Sequence, residues 1–251
     1  MIDNKEIERM ATYLEAMSNS PGRLRDQLTA WSEDTKMEYK KLYEVVKSVN
    51  GMKVNKDTGV TTTTIGKPLE DLVQFIFEKS GLFKIASNVR TRTNEMDHVI
   101  LLDYYGKMLK KFGAIDIKQD YFISECKNYK KRTGITYVGK FYTLLEHRST
   151  KLGIMFSYHG LSTKNGGWGA AEGLAKQLYL KRNDGDKIYI IDFNKKHFEM
   201  LEDGNKSVID IIENEMRKLH FDAYCFDVDY GKHDLIDVLN VEECLKNNID
   251  E

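Results

Sequence analysis

The chain is predicted to be a mixed α/β protein, a β-sheet with helices on its faces. Two observations predict this. Residues 83–93, 96–102, 121–127, 152–158 and 187–192 are short apolar runs of strand length. The segments around them carry apolar residues at helical spacing, so the order reads helix, three strands, helix, strand, helix, strand and closing helices.

Composition sets the outer limits. The 251 residues are 41% hydrophobic, enough for one large domain or a core with a helical attachment. A net charge of −1 means that any nucleic-acid surface must come from local patches. Cys126, Cys225 and Cys244 are too few and too scattered for a disulfide framework or a CxxC zinc site, so a reducing, cytoplasmic setting is expected. The polar start Met1-Ile-Asp-Asn-Lys-Glu has no signal core, and no run is long enough to cross a bilayer, so no membrane is expected as a partner.

In chain order, Ile7, Met10, Ala11, Leu14 and Met17 give residues 3–18 a helical stripe, broken at Asn19-Ser20-Pro21-Gly22. Residues 22–49 read as one long helix burying Leu24, Leu28, Trp31, Leu42, Val45, Val46 and Val49, stopped by Asn50-Gly51. Residues 1–56 thus read as an N-terminal helical hairpin, either an arm for DNA binding or dimerisation or a bundle on the core. A β-branched stretch between glycines, 57–66, is the seam to the main domain, 57–220. Lys67-Pro68 opens a helix to Lys79 whose apolar face is Leu69, Leu72, Val73, Ile76 and Phe77. Residues 103–120 read as an excursion between paired strands or a short extra helix or hairpin. Helices are expected at 135–149, from Gly166-Gly-Trp-Gly169 to near Arg182, and at 195–201 and 207–219. Residues 221–251 form an acid-rich extension with enough Val, Leu and Ile to pack.

The chemistry concentrates in residues 121–127, Tyr-Phe-Ile-Ser-Glu-Cys-Lys. Side chains alternate along a strand, so Glu125 and Lys127 share one side and Cys126 faces the other. A lysine in the middle of an apolar strand would be costly unless paired, but Lys127 sits at the strand's end beside Glu125, where a site can use it. Asp97 heads another apolar run, in Asn94-Glu-Met-Asp97. If the two runs pair, Asp97 and Glu125 would share one divalent cation, with Lys127 beside its water. Against this stand plainer readings, a turn cap for Asp97 and an ordinary same-face ion pair for Glu125 and Lys127.

A helix with an acid, a strand bearing an aspartate, then E-x-K on the next strand resembles the PD-(D/E)xK nuclease superfamily, and within it the Mrr-type restriction endonuclease domain. The likeness covers roughly residues 64–205 and rests on Gly66-Lys-Pro-Leu-Glu70, Asn94-Glu-Met-Asp97 and Glu125-Cys-Lys127. Val138-Gly-Lys-Phe141, Leu152-Gly-Ile-Met-Phe-Ser157 and Lys187-Ile-Tyr-Ile-Ile-Asp192 match the later helix and strands of such domains. The resemblance implies a restriction-endonuclease-like core and Mg2+-dependent hydrolysis of DNA phosphodiesters, with Mn2+ as a substitute. It implies Asp97 and Glu125 as metal ligands, Lys127 as the catalytic lysine and Glu70 as a supporting acid. Met96 stands where the namesake proline would be. The interval from Asp97 to Glu125 is long for the family, which leaves Asp116 or Asp120 as rival first ligands.

The residue types suit that chemistry. A hard cation between carboxylates offsets the charge of a phosphodiester, and Mg2+ takes oxygen ligands, for which the backbone carbonyl of Cys126 is the candidate third. Lys130, Lys131, Arg132 and Lys140, with Arg90 and Arg92 on a neighbouring strand, are candidate DNA-phosphate contacts. The glycines at 166–169 most simply turn a loop, His159 reads as structural, and Trp31 and Trp168 as packing. Gly66-Lys67 lacks the spacing of a P-loop, so no nucleotide cofactor is expected. The expectation is a DNA endonuclease of restriction or defence type, a homodimer where both strands are cut. Rival readings are a repair, recombination or RNA-processing nuclease, or a non-catalytic nucleic-acid-binding protein on the same fold.

Overall fold

A computed structural model describes residues 20–55, 57–90, 95–163, 170–204 and 206–221. The expected helix at 3–18, Arg92, the glycines at 166–169 with Trp168, and the tail at 222–251 lie outside the described residues. The elements run α1 (Pro21–Thr29), α2 (Glu33–Val49), α3 (Thr62–Glu78), β1 (Phe83–Arg90), β2 (Glu95–Leu102), α4 (Tyr104–Lys111), β3 (Tyr121–Cys126), α5 (Ile135–His147), β4 (Leu152–Phe156), α6 (Ala171–Leu180), β5 (Tyr189–Phe193), α7 (Lys195–Glu202) and α8 (Val208–Phe221).

The five strands form one mixed sheet in chain order. β1, β2 and β3 pair antiparallel. β3, β4 and β5 run parallel, with α5 and α6 as the crossovers that parallel neighbours require. Alternation sorts the side chains into two cores. Phe122, Ile154 and Ile191 face α3 and α8, in the same cluster as Phe77, Phe83, Phe156, Phe193 and Phe198. Ile123, Met155 and Ile190 face Val138, Phe141 and Leu145 of α5 and Ala171 and Ala175 of α6. Phe77 meets Phe83 and Phe122 edge-on, at 5.3 and 5.7 Å, the geometry that ring quadrupoles favour.

The expected single helix over 22–49 is two. Its chain turns at Ala30–Ser32, where Ala30 is extended and Ser32 caps α2 by accepting from the Thr35 N–H at 3.2 Å. The break lets Trp31 donate to the Lys79 carbonyl at 2.9 Å. The buried side of α2 also differs from the expected one. Val45 is exposed, while Tyr39 and Tyr43 are fully buried, and the Tyr39 hydroxyl donates to the Phe198 carbonyl at 2.8 Å. Two aromatic rings one turn apart set the inward face, and Val45 points away from it. Helices α1 and α2 therefore pack into the same core as the sheet.

Helix α3 starts five residues before Lys67, at Thr62, because Thr61 and Thr64 form a reciprocal capping box. Pro68 sits inside the helix rather than opening it. The local cap outweighs the β-branched run that disfavours helix there.

The excursion at 103–120 begins with a short helix, α4, capped by the Asp103 carboxylate accepting from the Gly106 N–H at 2.8 Å. Gly106 is packed so closely that a Cβ there would stand 2.5 Å from the Leu82 carbonyl oxygen and 2.9 Å from Leu102 Cδ2. Helix propensity alone favours alanine by about 1 kcal/mol. The clash with backbone reverses the sign, so Gly106→Ala is expected to destabilise the protein by about 1–3 kcal/mol in urea unfolding; an unchanged midpoint would show that α4 can move aside.

One buried ion cluster crosses the fold. Arg25 of α1 donates to the Ala114 carbonyl and to Glu213 Oε2, both at 3.0 Å, and to Asp210. Glu213, 3% exposed, accepts from the Asp116 N–H through its other oxygen at 2.6 Å.

Candidate active site

Strand register brings Asp97 to Glu125. His98 pairs with Ser124 across β2 and β3, so the ladder extended by one sets Asp97 directly opposite Glu125 on the same face. Asp97 Oδ2 accepts from the Cys126 N–H at 2.6 Å, which clamps the two strand ends together. Lys127 follows on the same side as Glu125, and its Nζ stands 2.5 Å from Glu125 Oε1 and 3.1 Å from the Cys126 carbonyl oxygen. Cys126 turns the other way, into the core beside His98. The Lys127 N–H donates to the Phe156 carbonyl at 2.8 Å, so β4 holds the strand past its last paired residue.

Glu70 reaches the group from α3. It lies in the third turn, not the first as its place after Lys67-Pro68 suggested, so the helix dipole does not account for it. Its ordinary partner is Lys67, whose Nζ is 3.5 Å from Oε2.

The electrostatics are those of crowded acids. Burial, then the negative charge of Asp97, lifts the Glu125 carboxyl above the usual carboxylate range, against the pull of Lys127. Glu70 is lifted for the same two reasons, with Lys67 opposing. Burial acts to lower Lys127, but Glu125 and Asp97 outweigh it and its ammonium is held above its ordinary pKa. The Cys126 thiol is driven well up by burial and by the same acids, so it is no nucleophile at neutral pH.

Among the described residues, no group of three or more His, Cys, Asp or Glu side chains is arranged to hold a metal ion. The donor set nevertheless suits a hard cation. Asp97, Glu125 and the Cys126 carbonyl offer oxygens only, and the repulsion from Asp97 that adds to burial in lifting Glu125 and Glu70 is charge that a cation would relieve. Lys127 supplies part of that relief, bridging the two groups expected to face the metal.

The rival acids stand elsewhere. Asp116 is exposed, pairs with Lys118 at 2.7 Å and sits by Glu213. Asp120 precedes β3, at the opposite end from Glu125, and pairs with Lys110 at 2.8 Å.

Several residues around the site carry no local signal in the sequence. His98, buried between β2 and the core, contacts Ser124 Oγ at 3.1 Å and hydrogen-bonds the Glu70 backbone. Burial depresses it to about 4 against the pull of Asp97, so it is neutral at pH 7. Asn128 donates to the Ile65 carbonyl at 2.8 Å and accepts from Asn50 Nδ2 at 2.8 Å. Asn50 Oδ1 in turn meets His159 Nε2 at 2.8 Å. This chain ties the ends of α2, β3 and β4 to the start of α3. Its members are 63, 78 and 109 residues apart, which hides them from any local pattern.

Of the basic candidates, Lys130, Lys131, Arg132 and Lys140 are exposed. Arg132 bonds Thr163 Oγ1 at 2.9 Å. Arg90 lies at the Asp97 end of the sheet but is paired with Glu95 at 3.0 Å.

No helix among the described residues is long and apolar enough to cross a membrane. No protein-family model matches the chain, and neither does any curated protein or solved structure.

Proposed function

We propose that the chain is a Mg2+-dependent DNA endonuclease of the PD-(D/E)xK class, of restriction or defence type and cytoplasmic. One observation carries the reading: strand register sets Asp97 opposite Glu125, with Lys127 ion-paired beside them. With α4 set aside as an insertion between β2 and β3, the order α3, β1, β2, β3, α5, β4, α6, β5 supports it, because it is the order that the resemblance implies for a restriction-endonuclease-like core.

In this reading Asp97, Glu125 and the Cys126 carbonyl hold the cation, with Glu70 as a neighbouring acid. The cation, when bound, offsets phosphate charge and lowers the pKa of water. Lys127 keeps its proton, orients the attacking water and offsets charge developing on the phosphate oxygens. His98 fixes the β2–β3 edge from behind, as a positioning residue. One such site cuts one strand, so double-strand cleavage takes a homodimer or two successive nicks.

Plasmid, linear duplex, single-stranded DNA and RNA incubated with and without Mg2+ test the proposal. DNA cleavage that requires the cation is the expected result. Cleavage of RNA alone would shift the reading to an RNA-processing nuclease, and tight DNA binding without cleavage to a non-catalytic binder.

In this reading the basic loop after β3 meets the DNA backbone. Replacing Lys130, Lys131 and Arg132 together by alanine is expected to weaken duplex binding at low salt and to flatten the log K against log [salt] slope by about 2–3. Fluorescence anisotropy over a salt series reads this directly, and an unchanged slope would remove the loop from the interface.

A further inference from the structure

Two exposed tyrosines stand beside the acid cluster. Tyr129 follows Lys127 by two residues and is 41% exposed, and Tyr137, in the first turn of α5, is 37% exposed. Their ring centroids are 5.3 Å apart, with the planes tilted by 47°. Partial burial and the Tyr137 hydroxyl push the Tyr129 phenol up to about 12, while Lys127 pulls it down and Glu125 adds to the rise. Both halves of the Glu125–Lys127 ion pair thus act on this hydroxyl, which sets the two rings at the margin of the site.

Both rings ride on fixed backbone. The Tyr129 carbonyl accepts from Asn50 Nδ2 at 3.5 Å, and Asn128 before it is held by Asn50 and by the Ile65 carbonyl. The Tyr137 N–H donates to the Gly134 carbonyl at 3.1 Å, and Val138 beside it is fully buried. A surface ordered in advance loses little freedom when a ligand settles on it.

Cations interleave with the rings. Lys130 and Lys131 follow Tyr129, Lys140 lies one turn past Tyr137, and all three are exposed. Aromatic faces set among cations match a nucleic-acid strand, whose bases stack on rings while its phosphates meet the charges. In an intact duplex the faces of each base are covered by its neighbours. Rings at this place therefore find a partner only in a base outside the stack.

We propose that Tyr129 and Tyr137 form a stacking platform for an unpaired base of a single strand that passes the acid cluster, with the neighbouring lysines on its phosphates. A nucleic acid as the occupant rests on the nuclease reading, and the platform selects, within it, DNA with an unpaired segment.

Fluorescence anisotropy without divalent cations reads binding apart from cleavage. The probes are a labelled oligo(dT), an abasic strand of the same length and charge, and a duplex of that length. Removing the bases is expected to weaken wild-type binding about tenfold. Tyr129→Ala/Tyr137→Ala, which removes two exposed rings, is expected to bind oligo(dT) no better than the abasic strand and to keep the duplex affinity of the wild type. If that variant melts early, each single alanine variant carries the same test. Tyr129→Phe/Tyr137→Phe retains the rings and is expected to retain the dependence on bases. Tyr104 and Tyr105, an exposed pair at the other end of β2 from Asp97, serve as the control, and their replacement by alanine is expected to leave that dependence unchanged.

Equal wild-type affinity for oligo(dT) and the abasic strand overturns the proposal. So does a dependence on bases that survives loss of both rings, or an equal loss of single-strand and duplex affinity in the alanine variants. Mg2+-dependent cleavage without any dependence on bases sinks the platform and spares the nuclease. Base-dependent binding without cleavage does the reverse, and no binding of any probe sinks both.

Discussion

Asp97→Asn is expected to reduce Mg2+-dependent DNA cleavage by about a thousandfold and, in the same molecule, to raise the melting temperature of the metal-free protein. The first effect follows from losing one anionic ligand at a site where positioned charge commonly carries factors of about 10^2–10^3. The second follows from the cluster itself. The substituted amide oxygen would still accept from the Cys126 N–H, so the clamp between the strand ends survives. The Asp97 charge, which after burial is the next cause of the raised Glu70 and Glu125 carboxyls, disappears, and a repulsion is removed from the metal-free fold. Thermal melts with and without Mg2+ check both halves: the wild type is expected to gain stability from the cation, and the variant to gain far less. A variant that cuts normally removes Asp97 from the mechanism. One that melts lower without metal shows that the acids do not strain the fold.

The pH dependence has a definite sign. Glu70 and Glu125 bind protons more tightly in the folded chain than their ordinary pKa of 4.5 implies. The penalty is complete above the raised values and vanishes below the unfolded one. Their contribution therefore makes the metal-free wild type more stable as pH falls through that window, and this gain is smaller in Asp97→Asn.

Arg25→Met is the substitution with the largest expected effect on stability, a loss of about 3–5 kcal/mol in urea denaturation. Methionine covers the aliphatic volume but leaves Glu213 buried, facing Asp210 without the Arg25 guanidinium, and Arg217 stands farther off at 3.7 Å. Burial already lifts the Glu213 carboxyl, and Arg25 is the largest influence holding it down. In the variant that carboxyl rises further, so the deficit is expected to shrink as pH falls and Glu213 takes up a proton. A loss below about 1 kcal/mol, or one that grows on acidification, would mean that water reaches Glu213 once the arginine is gone.

What the amino-acid sequence determined by itself is what depends on neighbours in the chain. Period two along residues 121–127 put Glu125 and Lys127 on one side and Cys126 on the other, and the structure has them so. The apolar stripe of Leu69, Leu72, Val73, Ile76 and Phe77 identified the inward face of α3 for the same reason. Local boundaries failed where a side-chain cap competed with propensity. Thr61 started α3 ahead of Pro68, and Ser32 divided the expected long helix.

Only the tertiary structure decided which acid meets Glu125. Asp97, Asp116 and Asp120 each precede β3, and strand pairing, a contact between distant segments, brings Asp97 alone of the three to that end of the sheet. Tertiary structure likewise placed His98 and Asn128 behind the site. A residue's facing is set by the backbone it sits on, but its partner is set by register and packing, to which every element of the fold contributes.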